Sequence, residues 1–221
     1  MGGILNFVPF VYYLFHLPNY EIPNNQIDHF RKSFFLFCFA RPFSRYADSR
    51  LGKFIREELK NRSKDERKEF PLSSAVWWTN YWENVYGWNE ELMQMNPRLA
   101  MYIIQQDSGS KTHYKLNKRE MDHIFPRSKL REKGFDESKV NYFANFWIMS
   151  KGKNINKTNK HPKKYFEDVP DKELETALID RDGLDYRRYG TFIKERGEKI
   201  LDKLRQKIGY MENDFEILEE E

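Results

Sequence analysis

Two short apolar segments separated by a basic connector constrain this 221-residue sequence more than any other feature. The first segment, around residues 119–125, contains the dipeptide Asp122-His123, and the second, around 145–150, opens on Asn145. Both segments predict short strands. The 21 residues between His123 and Asn145 are interpreted as an insertion on a loop, where extra length costs little conformational entropy.

The polar residues in and after these segments have the chemistry of a metal site. Asp122 offers a carboxylate and Asn154, nine positions after Asn145, offers an amide oxygen. These are hard ligands that suit a magnesium-like ion and leave positions for phosphate oxygens and water. An imidazole titrates near neutral pH, so His123 can take a proton from water. Because neighbours in a strand point to opposite faces, a twist or bulge must bring Asp122 and His123 to one site.

In this order, the residues resemble the ββα-metal motif of HNH endonucleases. The fuller pattern is Asp-His-Ile-Phe-Pro, then Asn-Phe-Trp-Ile-Met-Ser, then Asn154 and Asn159-Lys160. It resembles the C-terminal HNH domain of GmrSD-type restriction endonucleases, which cut modified foreign DNA. The resemblance covers about a quarter of the chain, and the connector is long for a compact HNH motif.

The resemblance implies a role for each residue. Asp122 and Asn154 would be ligands of a divalent metal, Mg²⁺ or Mn²⁺, and His123 the general base. Asn145 would hold the loop that orients the histidine, and Lys157, on the helix expected from about Gly152, would reach the phosphate. Three polar residues that follow are secondary candidates: Asn159, Lys160 and His161. His161 is an alternative metal ligand, although the spacing from Asn145 favours Asn154.

Each of these features has a structural explanation of its own. Most Asp-His dipeptides lie on a surface, an Asn before a strand is usually a turn residue, and a lysine-rich stretch is usually a solvated face. The combination favours a site, because all the residues occur in order with the Asn145-to-Asn154 spacing intact.

The charge distribution indicates a polyanionic partner. Residues 111–165 hold 15 Lys and Arg against 5 Asp and Glu, whereas the remainder holds 23 against 29. The net charge of +4 therefore conceals a basic segment around the expected site, where DNA would bind. An ordinary solvated face would produce part of this asymmetry.

The rest of the chain predicts helices, so we expect a mainly α fold with a small embedded ββα-metal motif, α+β overall. The apolar residues 4–15 predict a buried helix kinked or started near Pro9. Because a protein rarely begins with a core helix directly after its first Met, we expect the chain to correspond to the C-terminal part of a longer protein in relatives. Further helices are expected at about 26–40, 48–61, from Ser73 or Ser74, from Pro97, at 171–180 and at 187–207. Trp77, Trp78, Tyr81 and Trp82 have helical spacing and are assigned to the core rather than to base stacking. We expect three segments: a helical scaffold at 1–109, the nuclease motif at 110–168, and C-terminal helices with an acidic tail at 169–221.

Other function classes and compartments find little support. No phosphate-binding Gly-Lys-Ser/Thr loop or dinucleotide fingerprint occurs, so any nucleotide hydrolysis would come from a separate subunit or from a region missing from this sequence. A subunit that reads the modification is a further candidate partner. The single Cys38 excludes a disulfide framework. Residues 4–15 are too short to span a bilayer, and they lack the basic flank of a signal peptide. We therefore expect a cytoplasmic protein without membrane association. The expected function is phage defence by a metal-dependent DNA endonuclease of a restriction-modification system. The alternative is a non-catalytic nucleic-acid-binding subunit with a remnant nuclease fold.

Overall fold

The computed structural model describes residues 3–61, 69–106, 119–150 and 160–215. These ranges are mainly helical and contain one two-stranded antiparallel sheet, which confirms the expected mainly α class. Packing divides the chain into two compact units, Met1–Asn96 with Arg205–Glu221, and Pro97–Leu204. The three segments expected at 1–109, 110–168 and 169–221 describe roles rather than packing, and they remain a prediction.

The first unit is built from short helices. They are α1 (Val8–Phe15), α2 (Ile27–Ala40), α3 (Ala47–Phe54), α4 (Leu72–Glu83) and α5 (Glu90–Met95). A π-helical segment, Ile55–Lys60, directly follows α3. The helix expected at 48–61 is therefore present, with an α-helical first part and a π-helical second part. The helix α5 was not expected, although Asn89 provides an N-cap whose side chain accepts a hydrogen bond from the Leu92 amide at 3.1 Å.

Phenylalanine rings form the core of the first unit. The Phe37 ring lies in edge contact with the rings of Phe10, Phe43 and Phe54, at centroid distances of 5.5, 5.2 and 5.4 Å. Phe70 stacks on Phe10 at 4.8 Å. The high aromatic content of this part of the sequence is therefore explained chiefly by core packing, since such rings bury large areas in edge-to-face contacts.

The aromatic residues of α4 do not all belong to this core. Trp78 is buried, but the side chains of Trp77 and Tyr81 are 42% and 65% exposed and stack on each other at 5.3 Å. The assignment of all four rings to the core is therefore wrong for these two. A helix in a surface layer buries one face only, and positions four residues apart share a face.

The helix α1 is likewise buried on one face. Pro9 lies in its first turn, where the missing amide proton costs nothing, so the helix starts near this proline as expected. Phe10 and Tyr13 are buried, whereas Val11 and Phe15 are exposed. None of the helices in the described ranges is long and apolar enough to cross a membrane.

The second unit contains the sheet. Its elements are α6 (Pro97–Ile104), β1 (Arg119–His123), α7 (Arg127–Glu132), α8 (Glu137–Val140), β2 (Phe146–Ser150), α9 (Pro162–Phe166), α10 (Asp171–Ala177) and α11 (Tyr189–Ile208), of which the last turn belongs to the first unit. Both expected strands are confirmed, each within two residues. The connector, expected as a loop, contains α7 and α8. Gly152 and the eight-residue stretch 152–159, where a helix is expected, lie outside the described part of the chain.

The outer edge of β2 is covered by a side chain. The buried Gln105, which directly follows α6, donates to the Ile148 carbonyl at 3.1 Å and accepts from the Ile148 amide at 2.7 Å. A two-stranded sheet alone is marginally stable. Gln105 stabilises this one by pairing backbone groups that β1 does not reach, and Trp147 adds buried contact with Phe166 at 4.9 Å.

The buried Arg196 of α11 links the sheet region to the helices. Its guanidinium donates to the carbonyl oxygens of Ala144 and Ala177, with the Nη2 bond to Ala177 at 2.8 Å. Burial lowers the pKa of this guanidinium to about 9, so it remains charged at neutral pH. Arg196 thereby holds the residue that precedes Asn145 in a fixed position.

Candidate functional site

The candidate site begins at the end of β1. In the antiparallel register Asp122 lies opposite Trp147 and His123 opposite Phe146, and the pairing runs without interruption from Arg119 to His123. Alternation along a regular strand directs Asp122 and His123 to opposite faces. The regular pairing therefore contains no bulge between Asp122 and His123 that would bring both side chains to one metal and one water.

Asp122 is half-buried, on the same face as Trp147. The Asp122 carboxylate acts electrostatically on the Tyr165 phenol. The Tyr165 ring contacts the Trp147 ring, with 6.2 Å between the ring centroids. Burial raises the pKa of the Tyr165 phenol to about 12, and the carboxylates of Glu173 and Asp122 add to the rise. The Asp122 side chain offers carboxylate oxygens, which are hard ligands for Mg²⁺ or Mn²⁺.

Contacts with Phe146 and Asn141 hold His123. Its ring lies 4.5 Å from the Phe146 ring, between centroids, and its Nε2 lies 3.1 Å from Oδ1 of Asn141. The Asn141 side chain in turn donates to the carboxylate and the carbonyl oxygen of Glu137. Sequence reasoning missed Asn141. The available signal was its spacing of four residues from Glu137, which brings the two side chains together only if the connector is helical.

Asn145 connects the two ends of the connector. Its side chain is fully buried, and its Oδ1 accepts a hydrogen bond from the Phe125 amide at 3.0 Å. Its Nδ2 donates to the carbonyl oxygens of Phe125 and Val140 at 3.3 and 3.0 Å. The Asn145 carbonyl also accepts from the Ile124 amide, directly after His123, at 2.7 Å. These contacts agree with a residue that holds the loop around the histidine, while its part in catalysis remains a prediction.

The remaining candidates are less well placed or lie outside the described ranges. Lys160 is exposed, and His161 caps α9, because its Nδ1 accepts from the Lys163 amide at 3.3 Å. A metal bound by His161 would have to use Nε2 or displace this cap. Three predicted residues lie outside the described part of the chain: Asn154, Lys157 and Asn159. The structure therefore brings Asp122, His123 and Asn145 to one strand end and does not test the Asp122–Asn154 pair.

The described residues contain no group of three or more His, Cys, Asp or Glu side chains that could hold a metal. The expected donor set is smaller, one carboxylate and one amide, with the other positions left to water and phosphate oxygens. Such an open site fits a magnesium-like ion, which retains several waters.

The cations of the connector are mostly paired with acids. Arg131 binds Glu137, Lys129 binds Glu132 at 2.8 Å, and Lys139 lies 3.5 Å from Asp136. All three pairs are on the surface, where ion pairs contribute little and exchange readily. A phosphate backbone can compete for these cations, but the connector alone supplies a smaller positive field than its lysine content indicates.

Comparisons with protein-family models, with curated proteins and with solved structures found no match to this chain.

Proposed function

We propose that this chain is a metal-dependent DNA endonuclease of the HNH type. The observation that carries the proposal is the arrangement at the end of β1: Asp122 and His123 close the first strand, and the buried Asn145 introduces the antiparallel second strand. Because Asn145 ties both ends of the connector, the histidine is presented at the rim of the sheet on a rigid support.

Each residue has a chemical task in this proposal. Asp122, with Asn154, holds a divalent cation, which when bound polarises the scissile phosphate and stabilises the leaving oxygen. His123 takes the proton from the attacking water. Lys157 contacts the phosphate, and the lysines of the basic segment bind the DNA backbone without reading its sequence.

The biological context proposed is restriction of foreign or modified DNA. This part rests on the resemblance of the Asp122–Lys160 pattern to GmrSD-type restriction endonucleases. Any nucleotide hydrolysis would come from a partner subunit or from a region outside this sequence, because the sequence contains no phosphate-binding loop. A partner subunit is also a candidate for recognition of the modification.

One observation favours the alternative, a nucleic-acid-binding subunit with a remnant nuclease fold. The uninterrupted β1–β2 register directs Asp122 and His123 to opposite faces of the sheet. If this geometry persisted with DNA bound, the metal and the base would be on different sides, and the protein would bind DNA without cutting it.

A plasmid-nicking assay separates the two functions. The full chain is incubated with supercoiled plasmid and Mg²⁺ or Mn²⁺, with a chelator as the negative control. We expect relaxed and linear product only with metal, and loss of about 10²–10⁴-fold in rate for His123→Ala, the usual contribution of a general base. His16→Ala is the matched control, because His16 is an exposed histidine of the first unit. DNA binding without any metal-dependent nicking would support the remnant and reject the nuclease.

A further inference from the structure

The connector between the strands supplies a hydrogen-bonded relay to His123. Arg131 donates to the Glu137 carboxylate, which also accepts a hydrogen bond from the Asn141 amide. The Oδ1 atom of Asn141 lies 3.1 Å from His123 Nε2, within hydrogen-bond distance. We propose that Asn141 is a positioning residue that fixes the tautomer of His123, with the proton on Nε2 and the lone pair on Nδ1. The role of Nδ1 as base rests on the proposed function, whereas the tautomer does not.

The orientation of the Asn141 amide follows from its neighbours. Its Nδ2 lies 2.9 Å from a carboxylate oxygen of Glu137 and 3.1 Å from the Glu137 carbonyl oxygen. Both of these atoms accept hydrogen bonds, so the amide group must present its donor to them. A flipped amide would place its own oxygen against two oxygens. Consequently Oδ1 faces His123, and the ring nitrogen 3.1 Å away must donate.

The carboxylate that sets this orientation is kept ionised. Arg131 donates through Nε and Nη2 to the two oxygens of Glu137, and the pKa of Glu137 is lowered chiefly by this bond. A protonated Glu137 could offer a donor to Asn141 and permit the flip. The ionised Glu137 carboxylate therefore sets the polarity of the relay, and Arg131 lowers its pKa further.

The helix α8 begins at Glu137 and ends directly before Asn141, and contacts near its two ends hold it in place. Asp136 caps it by accepting from the Lys139 amide at 2.8 Å. The Tyr189 hydroxyl of α11 donates to the Lys139 carbonyl at 2.6 Å. With α8 formed, Glu137 and Asn141 lie one helical turn apart on the same face.

The chemical consequence concerns which nitrogen can act as base. In a neutral imidazole the hydrogen bond made by one nitrogen determines which nitrogen accepts a proton. With Nε2 donating to Asn141, Nδ1 is the proton acceptor of His123. The long connector thus has a function in this account, because it supplies Asn141.

Histidine tautomers are measured directly by long-range ¹⁵N–¹H correlation spectra of the full chain with ¹⁵N-labelled histidine. Spectra are recorded in metal-free buffer, well above the ordinary imidazole pKa. His123→Gln identifies the signals of His123. We expect the wild-type ring to show the Nε2–H pattern alone, and Asn141→Ala to show a mixture of tautomers. His161 is the internal control, because its Nδ1 accepts from Lys163 and its pattern should not change.

A second pair of variants separates the relay from a general effect on folding. Glu137→Gln removes one of the two acceptors that orient the Asn141 amide and puts a side chain that can also donate in its place, so we expect mixed tautomers at His123. Glu132→Gln makes the same change on α7, in an exposed pair with Lys129, and should leave the spectrum unchanged. Circular dichroism verifies that each variant is folded.

The outcomes are distinct for the relay and for the nuclease. A wild-type His123 protonated on Nδ1, or a pure Nε2–H pattern retained in both Asn141→Ala and Glu137→Gln, overturns the role of Asn141. If the tautomer behaves as expected but the wild-type chain does not nick DNA, the positioning role stands and the proposed function fails. If both hold, Asn141→Ala should reduce nicking by roughly 10–100-fold, as removal of outer partners does at other sites.

Discussion

Replacement of Asn145 by alanine tests the structural support of the site. The change removes one acceptor and two donors from a fully buried position, so the Phe125 amide and the carbonyl oxygens of Phe125 and Val140 lose their partner. A buried hydrogen bond contributes roughly 0.5–1.5 kcal/mol net, and an orphaned buried group costs about 1–3 kcal/mol. For three bonds, we expect a loss of about 3–4 kcal/mol in the free energy of unfolding.

Urea denaturation followed by tryptophan fluorescence measures this loss. Trp147 lies on β2 in the core of the second unit and reports its unfolding. The matched control is Asn141→Ala, the same chemical change at a half-exposed position, which should cost less than about 1 kcal/mol. An Asn145→Ala protein that unfolds at the wild-type urea concentration would refute the assignment of Asn145 as the bridge across the connector.

Three further predictions follow from the described contacts. In urea denaturation, Trp78→Ala should lower the free energy of unfolding by about 3–5 kcal/mol, because this ring is buried. Trp77→Ala, at an exposed position of the same helix, should lower it by less than about 1 kcal/mol. Equal losses in the two variants would show that both rings belong to the core. Affinity for DNA should fall more than about tenfold between about 50 and 200 mM salt, since two or three phosphate contacts produce that loss; filter binding that is insensitive to salt would reject the electrostatic account. The pKa of Asp136 is lowered to about 2, first by the Ser138 hydroxyl and then by the Lys139 amide, so its stabilising effect is complete above about pH 4 and is lost as the pH falls toward 2. Asp136→Ala should lack this acid-dependent component in thermal melts, and a variant with the wild-type acid profile would contradict it.

The two strands were predictable because their signal is local. The segment of β2 is rich in strong β formers, and the apolar Ile124 and Phe125 directly follow β1, so the observed β1 and β2 differ from the predicted ranges by at most two residues. The mainly helical class was predictable for the same reason, since the apolar periodicity of 26–40 and 187–207 is clear without knowledge of the tertiary structure.

The connector was not predictable at this level. The helices α7 and α8 have six and four residues, too few for periodicity to show, and α8 depends on its Asp136 cap and on Tyr189 from a distant helix. The contact between Asn141 and His123 exists only once this helix has formed. The exposure of Trp77 was missed because the spacing of aromatic residues indicates a helix but does not show which of its faces is covered.

The central claim is that Asp122 binds the metal and His123 acts as the base, and the most direct test compares metal affinity with nicking rate in the two alanine variants. Calorimetric titration with Mn²⁺ is performed beside the plasmid assay on the same preparations. We expect Asp122→Ala to lose more than about tenfold in metal affinity and to stop nicking, with partial recovery at high metal concentration. His123→Ala should bind Mn²⁺ as the wild type does and nick about 10²–10⁴-fold more slowly. Unchanged metal affinity in Asp122→Ala, or near wild-type nicking by His123→Ala, would contradict the account.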